Sequence, residues 1–169
     1  CVIAHRGELV TQLSTALARE GVRHRVVGPD SLRRSITAVH MEEFNRSYYD
    51  PGARVAVASV DSLVLMDPKD PWVRQVGMWV QDEAHHVLAD NKWGKACKLF
   101  PNAFGLGVTA TPLRADGKGL GSHADGLFDQ MVVGPSMREL IERGYLSEYR
   151  VFAPPSDIDL SKVTTTDSG

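Results

Sequence analysis

The feature that most constrains this chain is a repeated unit: a short apolar run breaks off into a polar cluster, and an amphipathic stretch leads to the next run. Such alternation predicts βα units around a mostly parallel sheet. The runs at residues 2–4, 25–27, 54–58, 76–80, 104–108 and 131–133 read as strands, with a further one at 149–152. Those at 76–80 and 104–108 are apolar on both faces, the pattern of central strands in a covered parallel sheet. Leu9, Leu13, Ala16 and Leu17 share one helical face, with Gly21 as the stop. Ile36, Val39, Phe44 and Tyr48 fall at helical spacing over 35–50, where Pro51-Gly52 closes the segment. Another helix is predicted over 92–100. Ser136-Met137-Arg138-Glu139 is a capping box opening a helix that stops at Gly144.

Composition narrows the classes. A chain of 169 residues, 43% hydrophobic and 24% charged, has the make-up of one soluble globular domain and excludes disordered and collagen-like chains. Lys+Arg 19 against Asp+Glu 21 excludes a globally basic mode of nucleic-acid binding but leaves room for a local basic surface. Cys1 and Cys97 give neither a disulfide framework nor a paired zinc spacing, so a cytoplasmic setting is expected. No apolar run approaches the roughly 20 residues that span a bilayer, and no membrane partner is expected. The opening residues, Cys1 to His5, read as the middle of a strand, which predicts an N-terminally truncated domain. From Ala153 the Pro154-Pro155-Ser156 step and the Ser/Thr-rich tail to Gly169 predict a linker.

Ligands of open α/β sheets sit at the carboxyl ends of the strands, so the polar residues that follow each run are the candidates. Four clusters qualify: His5-Arg6, Ser59-Val60-Asp61-Ser62, Asp82-Glu83-Ala84-His85 and Thr109-Ala110-Thr111-Pro112. Parallel strands bring all four to one edge. Adjacent carboxylates at a strand end point apart, so Asp82 can hold Mg²⁺ through water while Glu83 orients and deprotonates an attacking water. The simpler alternative is that Asp82 caps a short helix. Ser59 and Ser62 have the same alternative, capping the helix that follows. A zinc site is disfavoured, because His85 and His86 are adjacent and H-E-x-x-H is absent.

These clusters, in this order, resemble the DEAD/DEAH-box ATP-dependent helicases and translocases of superfamily 2, in the bacterial and phage branch related to restriction-enzyme motor subunits. The resemblance implies a three-layer RecA-like domain over residues 1–152 and a linker over 153–169 leading to a second RecA-like domain. It implies Asp82, Glu83 and His85 as catalytic residues and Thr109, Ala110 and Thr111 as the segment coupling hydrolysis to movement. His5, Arg6 and Ser59 become contacts to a nucleic-acid backbone, DNA more than RNA, with ATP and Mg²⁺ as cofactors. Leu113 to Gly117, Leu127-Phe128-Asp129 and Val151 to Pro154 share the texture of this branch.

Three residues depart from the pattern. Gly7 stands where many relatives carry a basic residue, Asp61 where a glutamine is usual, and Gln81 where an aliphatic residue is usual. A fourth departure is larger. The phosphate-cradling G-x-x-x-x-G-K-[ST] loop does not occur in the 169 residues, and neither Gly94-Lys95-Ala96 nor Gly117-Lys118-Gly119 fits it. The fragment alone is therefore expected to hydrolyse ATP negligibly. The competing expectations are a non-catalytic α/β binding or scaffolding module and, further off, a metal-dependent hydrolase. Trp72, Trp79 and Trp93 are expected to pack in preference to stacking on bases, and His24, His40 and His123 have no partner spacing.

Overall fold

The computed structural model of the chain describes residues 1–114 and 117–152. Residues 1–131 form one compact unit and 132–169 a second. The first holds a five-stranded, all-parallel sheet of β1 (Val2–Ala4), β2 (His24–Val27), β3 (Val55–Ser59), β4 (Met78–Asp82) and β5 (Phe104–Val108), in the order β2-β3-β1-β4-β5. Helices α1 (Gly7–Arg19), α2 (Asp30–Phe44), α3 (Val60–Leu63), α4 (Pro71–Gln75) and α5 (Lys92–Lys98) connect the strands. This is the expected α/β, RecA-like architecture.

Alternation along the strands decides what each face buries. On one face Ala4, Val26 and Val57 form a core with Val10 of α1 and Ile36 of α2. On the other, Ile3, Ala56, Ala58 and Trp79 meet Leu63 of α3, Trp72 and Val73 of α4 and Ala96 and Cys97 of α5. Trp72 and Phe100 pack edge to face there, so Trp72 and Trp79 are core residues as expected.

At the β4–β5 end the first face is open. Met78, Phe104, Leu106 and Val108 lie on it and are exposed, Phe104 to 84%, and no described helix of this unit covers them. β5 is thus an edge strand. That corrects the expectation of a covered central strand: its apolar run marks a face made for burial that α1 and α2 do not reach. On its other face β5 carries Gly105 and Gly107 because rings lie against it. A Cβ on Gly105 would come within 2.1 Å of Trp79 Cζ2, and one on Gly107 within 2.4 Å of Phe128 Cζ.

Other boundaries differ for identifiable reasons. α2 starts at Asp30, just after Pro29, and ends where Asn45 takes a left-handed conformation (φ 55°), so Tyr48 lies outside it. Tyr49 instead bridges to His24. β4 runs two residues beyond the predicted end, through Gln81 and Asp82. α4, which the periodicity does not show, starts from Asp70, whose carboxylate accepts the Trp72 N–H at 2.8 Å, with Pro71 at the first helical position. Residues 131–133 and 149–152 are not strands, and no neighbouring strand pairs with them among the described residues.

In the second unit α6 (Met137–Glu142) starts at Ser136, whose hydroxyl accepts the Glu139 N–H at 3.1 Å, and Gly144 follows it at φ 76°. Glu139 turns to Arg143, so only the serine half of the capping box forms. The expected linker over 153–169 lies outside the described residues.

Candidate functional site

The register Ile3↔Gln81 and Asp82↔Val108 sets the ends of β1, β4 and β5 side by side. Just past them, His5, Arg6, Glu8, Leu9, Glu83, His85 and His86 line an open cleft of about 450 Å³. Two of the four polar clusters thereby share one concavity, and a third bonds to it.

That bond centres on His85 Nδ1. Thr109 Oγ1 lies 2.9 Å from it, Glu83 Oε2 3.2 Å and Thr111 Oγ1 3.3 Å. The Thr109 hydroxyl gives its proton to the Thr111 carbonyl at 3.2 Å and accepts the Thr111 N–H at 3.1 Å. It can therefore only accept from the imidazole, which must carry the proton on Nδ1 and share it between Thr109 and the Glu83 carboxylate. His85 thus joins the acid after β4 to the turn after β5.

Glu83 itself sits at φ 54°, ψ 48°, a left-handed conformation that costs a non-glycine residue on the order of 1–2 kcal/mol. The 3₁₀ turn Ala84–His86 follows directly, closed by the His86 N–H on the Glu83 carbonyl at 3.0 Å. This reversal turns the chain back so that Glu83 and His85 both reach the cleft. Asp82 remains on the strand, where its Oδ1 accepts the Glu83 N–H at 2.9 Å. The 3₁₀ turn receives no side-chain cap, so the alternative in which Asp82 caps a helix does not hold.

Around the second imidazole the rings form a ladder. His86 stacks on Trp93 at 5.3 Å, meets His85 at 4.1 Å and takes the edge of His5 at 5.7 Å. His86 is exposed as a residue, yet partial desolvation of its ring, with His85 and His5 beside it, holds it below the ordinary histidine range. Lys92 lies over the Trp93 ring and pairs with Asp61 at 2.8 Å.

Ser59 stands apart from the cleft. Its hydroxyl, in a residue only 8% exposed, accepts the Ser62 N–H at 3.2 Å and donates to Ser62 Oγ at 2.9 Å, which caps α3. Arg6 is exposed at the start of α1, whose first turn receives no side-chain cap. Ala110 and Thr111 are exposed.

Sequence reasoning missed a buried chain of hydrogen bonds at the covered end of the sheet. The Tyr48 N–H donates to His40 Nδ1 at 3.3 Å, which leaves the His40 proton on Nε2, facing Ser14 Oγ at 3.2 Å. Ser14 Oγ lies 2.6 Å from His24 Nε2, and His24 Nδ1 gives its proton to the Val22 carbonyl at 2.8 Å. Every donor meets an acceptor only with both imidazoles neutral. Burial holds both below the ordinary histidine range, and His24 adds to the effect on His40. Spacing gave no signal for this, since the three residues lie on α1, β2 and α2.

Among the described residues no group of three or more His, Cys, Asp or Glu side chains is placed to hold a metal ion. The one metal chemistry that fits is a hard cation that keeps its waters, held through a single carboxylate with its remaining ligands from phosphate. Asp82 fits that, since its Oδ2 takes part in no hydrogen bond among the described residues.

Residues 1–114 match the family of the type III restriction enzyme res subunit. The chain belongs to that family. The match spans all five strands, the cleft and the Thr109–Thr111 turn, and this res-subunit domain is RecA-like and related to helicases. No curated protein matches the chain. No helix of the described residues is long and apolar enough to cross a membrane.

Proposed function

We propose that the chain is the body of the first motor domain of a DEAH-type, ATP-dependent DNA translocase or helicase. The observation that carries this reading is the bond from Glu83 through His85 to Thr109 at the rim of a cleft that also holds His5 and Arg6. Mg²⁺-ATP bound there supplies a polarised γ-phosphate. Asp82 would hold the metal through water. Glu83 accepts a proton from the attacking water at its carboxylate, and its bond to His85 Nδ1 keeps that carboxylate turned toward the cleft. A change at Glu83 alters what the His85 Nδ1 proton bonds to, and Thr109 and Thr111 carry that change to a second RecA-like domain. Arg6 and the first amides of α1 suit phosphate oxygens of a nucleic-acid backbone, which favours binding without sequence preference.

The residues present do not cradle the β and γ phosphates, so hydrolysis belongs to the intact motor, in which a phosphate loop completes the site. The open edge of β5 and the uncovered face beside it support the reading that a further strand and helix pack there. The domain assignment, 1–152 as motor and 153–169 as connector, is part of this proposal. The absent phosphate loop favours a second reading, a non-catalytic DNA-binding module.

Substituting Glu83→Gln in the intact motor separates the two. Turnover should fall about 10²–10⁴-fold with ATP binding kept. Undiminished turnover removes Glu83 from the chemistry, and a natural protein without a phosphate loop decides for the binding module.

A further inference from the structure

We propose that Gln81 is the positioning residue that fixes the peptide entering Glu83 and ties it to β1. This inference rests on the reading of Glu83 as the base. Gln81 is 0% exposed, on the face of β4 that also carries Trp79. A buried amide is costly unless its donors and acceptor are used, and here they are. Its Nε2 donates to the Asp82 carbonyl at 2.7 Å and to the Ile3 carbonyl at 3.4 Å, while Oε1 receives the Cys97 thiol at 3.9 Å. Two carbonyls on one side and an S–H on the other fix which end of the amide is nitrogen. The thiol stays protonated, since burial pushes Cys97 up to about 12.

The Asp82–Glu83 peptide is thereby held at both of its polar atoms. Its oxygen takes the Gln81 amide, and its N–H goes to Asp82 Oδ1 at 2.9 Å. The next residue holds the left-handed φ of 54°, a conformation that persists only where the surroundings over-determine it. An aliphatic side chain at this position would fill the same space and take this donor from the Asp82 carbonyl. The bond to Ile3 adds a second constraint, because Ile3 lies two residues before His5. Gln81 thus sets the acid pair and the His5-Arg6 segment in one register.

The test is NMR of this chain, read at Glu83. In the wild type both Gln81 side-chain amide protons should be protected from exchange, and the Glu83 ¹³Cα and ¹³Cβ shifts should report a left-handed residue. In Gln81→Leu, and in Gln81→Met, which keeps the length and removes both donors, the Glu83 shifts should move to those of an averaged turn while β3 signals stay in place. Cys97→Ala, which leaves both amide donors, should leave them unmoved. Unprotected Gln81 amide protons, or Glu83 shifts that stay put in either folded variant, overturn the proposal. In the intact motor Gln81→Leu should lower kcat for ATP about tenfold with KM little changed. If Glu83→Gln turns over normally, the proposed function fails, while the shift measurement on Gln81→Leu still decides the clamp.

Discussion

The two ends of the sheet are built from similar strands and meet different fates. At the β2–β3 end, α1 and α2 cover Val26 and Val57 and enclose the Ser14–His24–His40 chain. At the β4–β5 end the same face shows Phe104, Leu106 and Val108 to solvent, yet this end carries Asp82, Glu83 and Thr109. The candidate catalytic residues Asp82 and Glu83 lie at the end where packing is incomplete. The difference teaches that the covered end supplies the stability of the unit and the open end supplies its site, and each claim can be broken separately.

The largest expected effect is at the covered end. Ile36→Ala should cost about 2–5 kcal/mol of unfolding free energy in urea, as buried aliphatic truncations do. A cost near zero would mean that α2 does not hold the fold. Next comes Gly107→Ala, whose methyl would meet the Phe128 ring and Ala84; about 1–3 kcal/mol of destabilisation is expected from this overpacking. A neutral result would show that Phe128 does not rest on β5.

The pH dependence sharpens the contrast further. His24 and His40 titrate below the ordinary histidine range when folded, so in the window below about 6.5 the unfolded chain binds more protons. Stability should therefore fall as pH drops from about 6.5, by up to about 1.4 kcal/mol per pH unit for each histidine, and level off below the folded values. Glu43 beside His40 works in the opposite direction and narrows the window. A flat profile between about pH 7 and about pH 5 would show that the buried chain admits a charge.

The smallest effect belongs to the open end. Phe104→Ala should change stability by less than about 0.5 kcal/mol, because at 84% exposure little apolar area is removed from water there. A cost like that of Ile36→Ala would mean that something covers this face in solution. Sedimentation at increasing concentration then identifies a second copy, and Phe104→Ser should abolish that association.

How much of this was legible in the sequence depended on whether local pattern or distant partners decided each element. β1, α1, β3, α5 and β5 follow directly from apolar runs and stops, and the convergence of His5, Glu83 and Thr109 follows from parallel strands. The end of β4 was hidden because Gln81 and Asp82 look like loop residues. Only the carbonyls of Ile3 and Asp82 make a buried amide acceptable there. The start of α2 was hidden because its first turns, with Arg33 and Arg34, carry no full apolar stripe. Ser59 reads equally as cap and as ligand, and its local bonds are those of a cap. Position in the sheet was illegible for β5, since an apolar run records a need for cover and not the cover itself.

The central place of β1 bears on how the domain is made. β1 pairs with β3 and β4, and the Gln81 bond to Ile3 closes 78 residues of chain. At ribosomal speeds of roughly 5–20 residues per second, β1 waits roughly 4–16 s for its last neighbour. During the last part of that interval Val2 to Ala4 has only β3 to pair with, so a central strand of the finished sheet is first an open edge. Non-local parallel pairing of this kind is slow to form, and shielding of nascent apolar segments would have most effect on the yield of this domain during that interval.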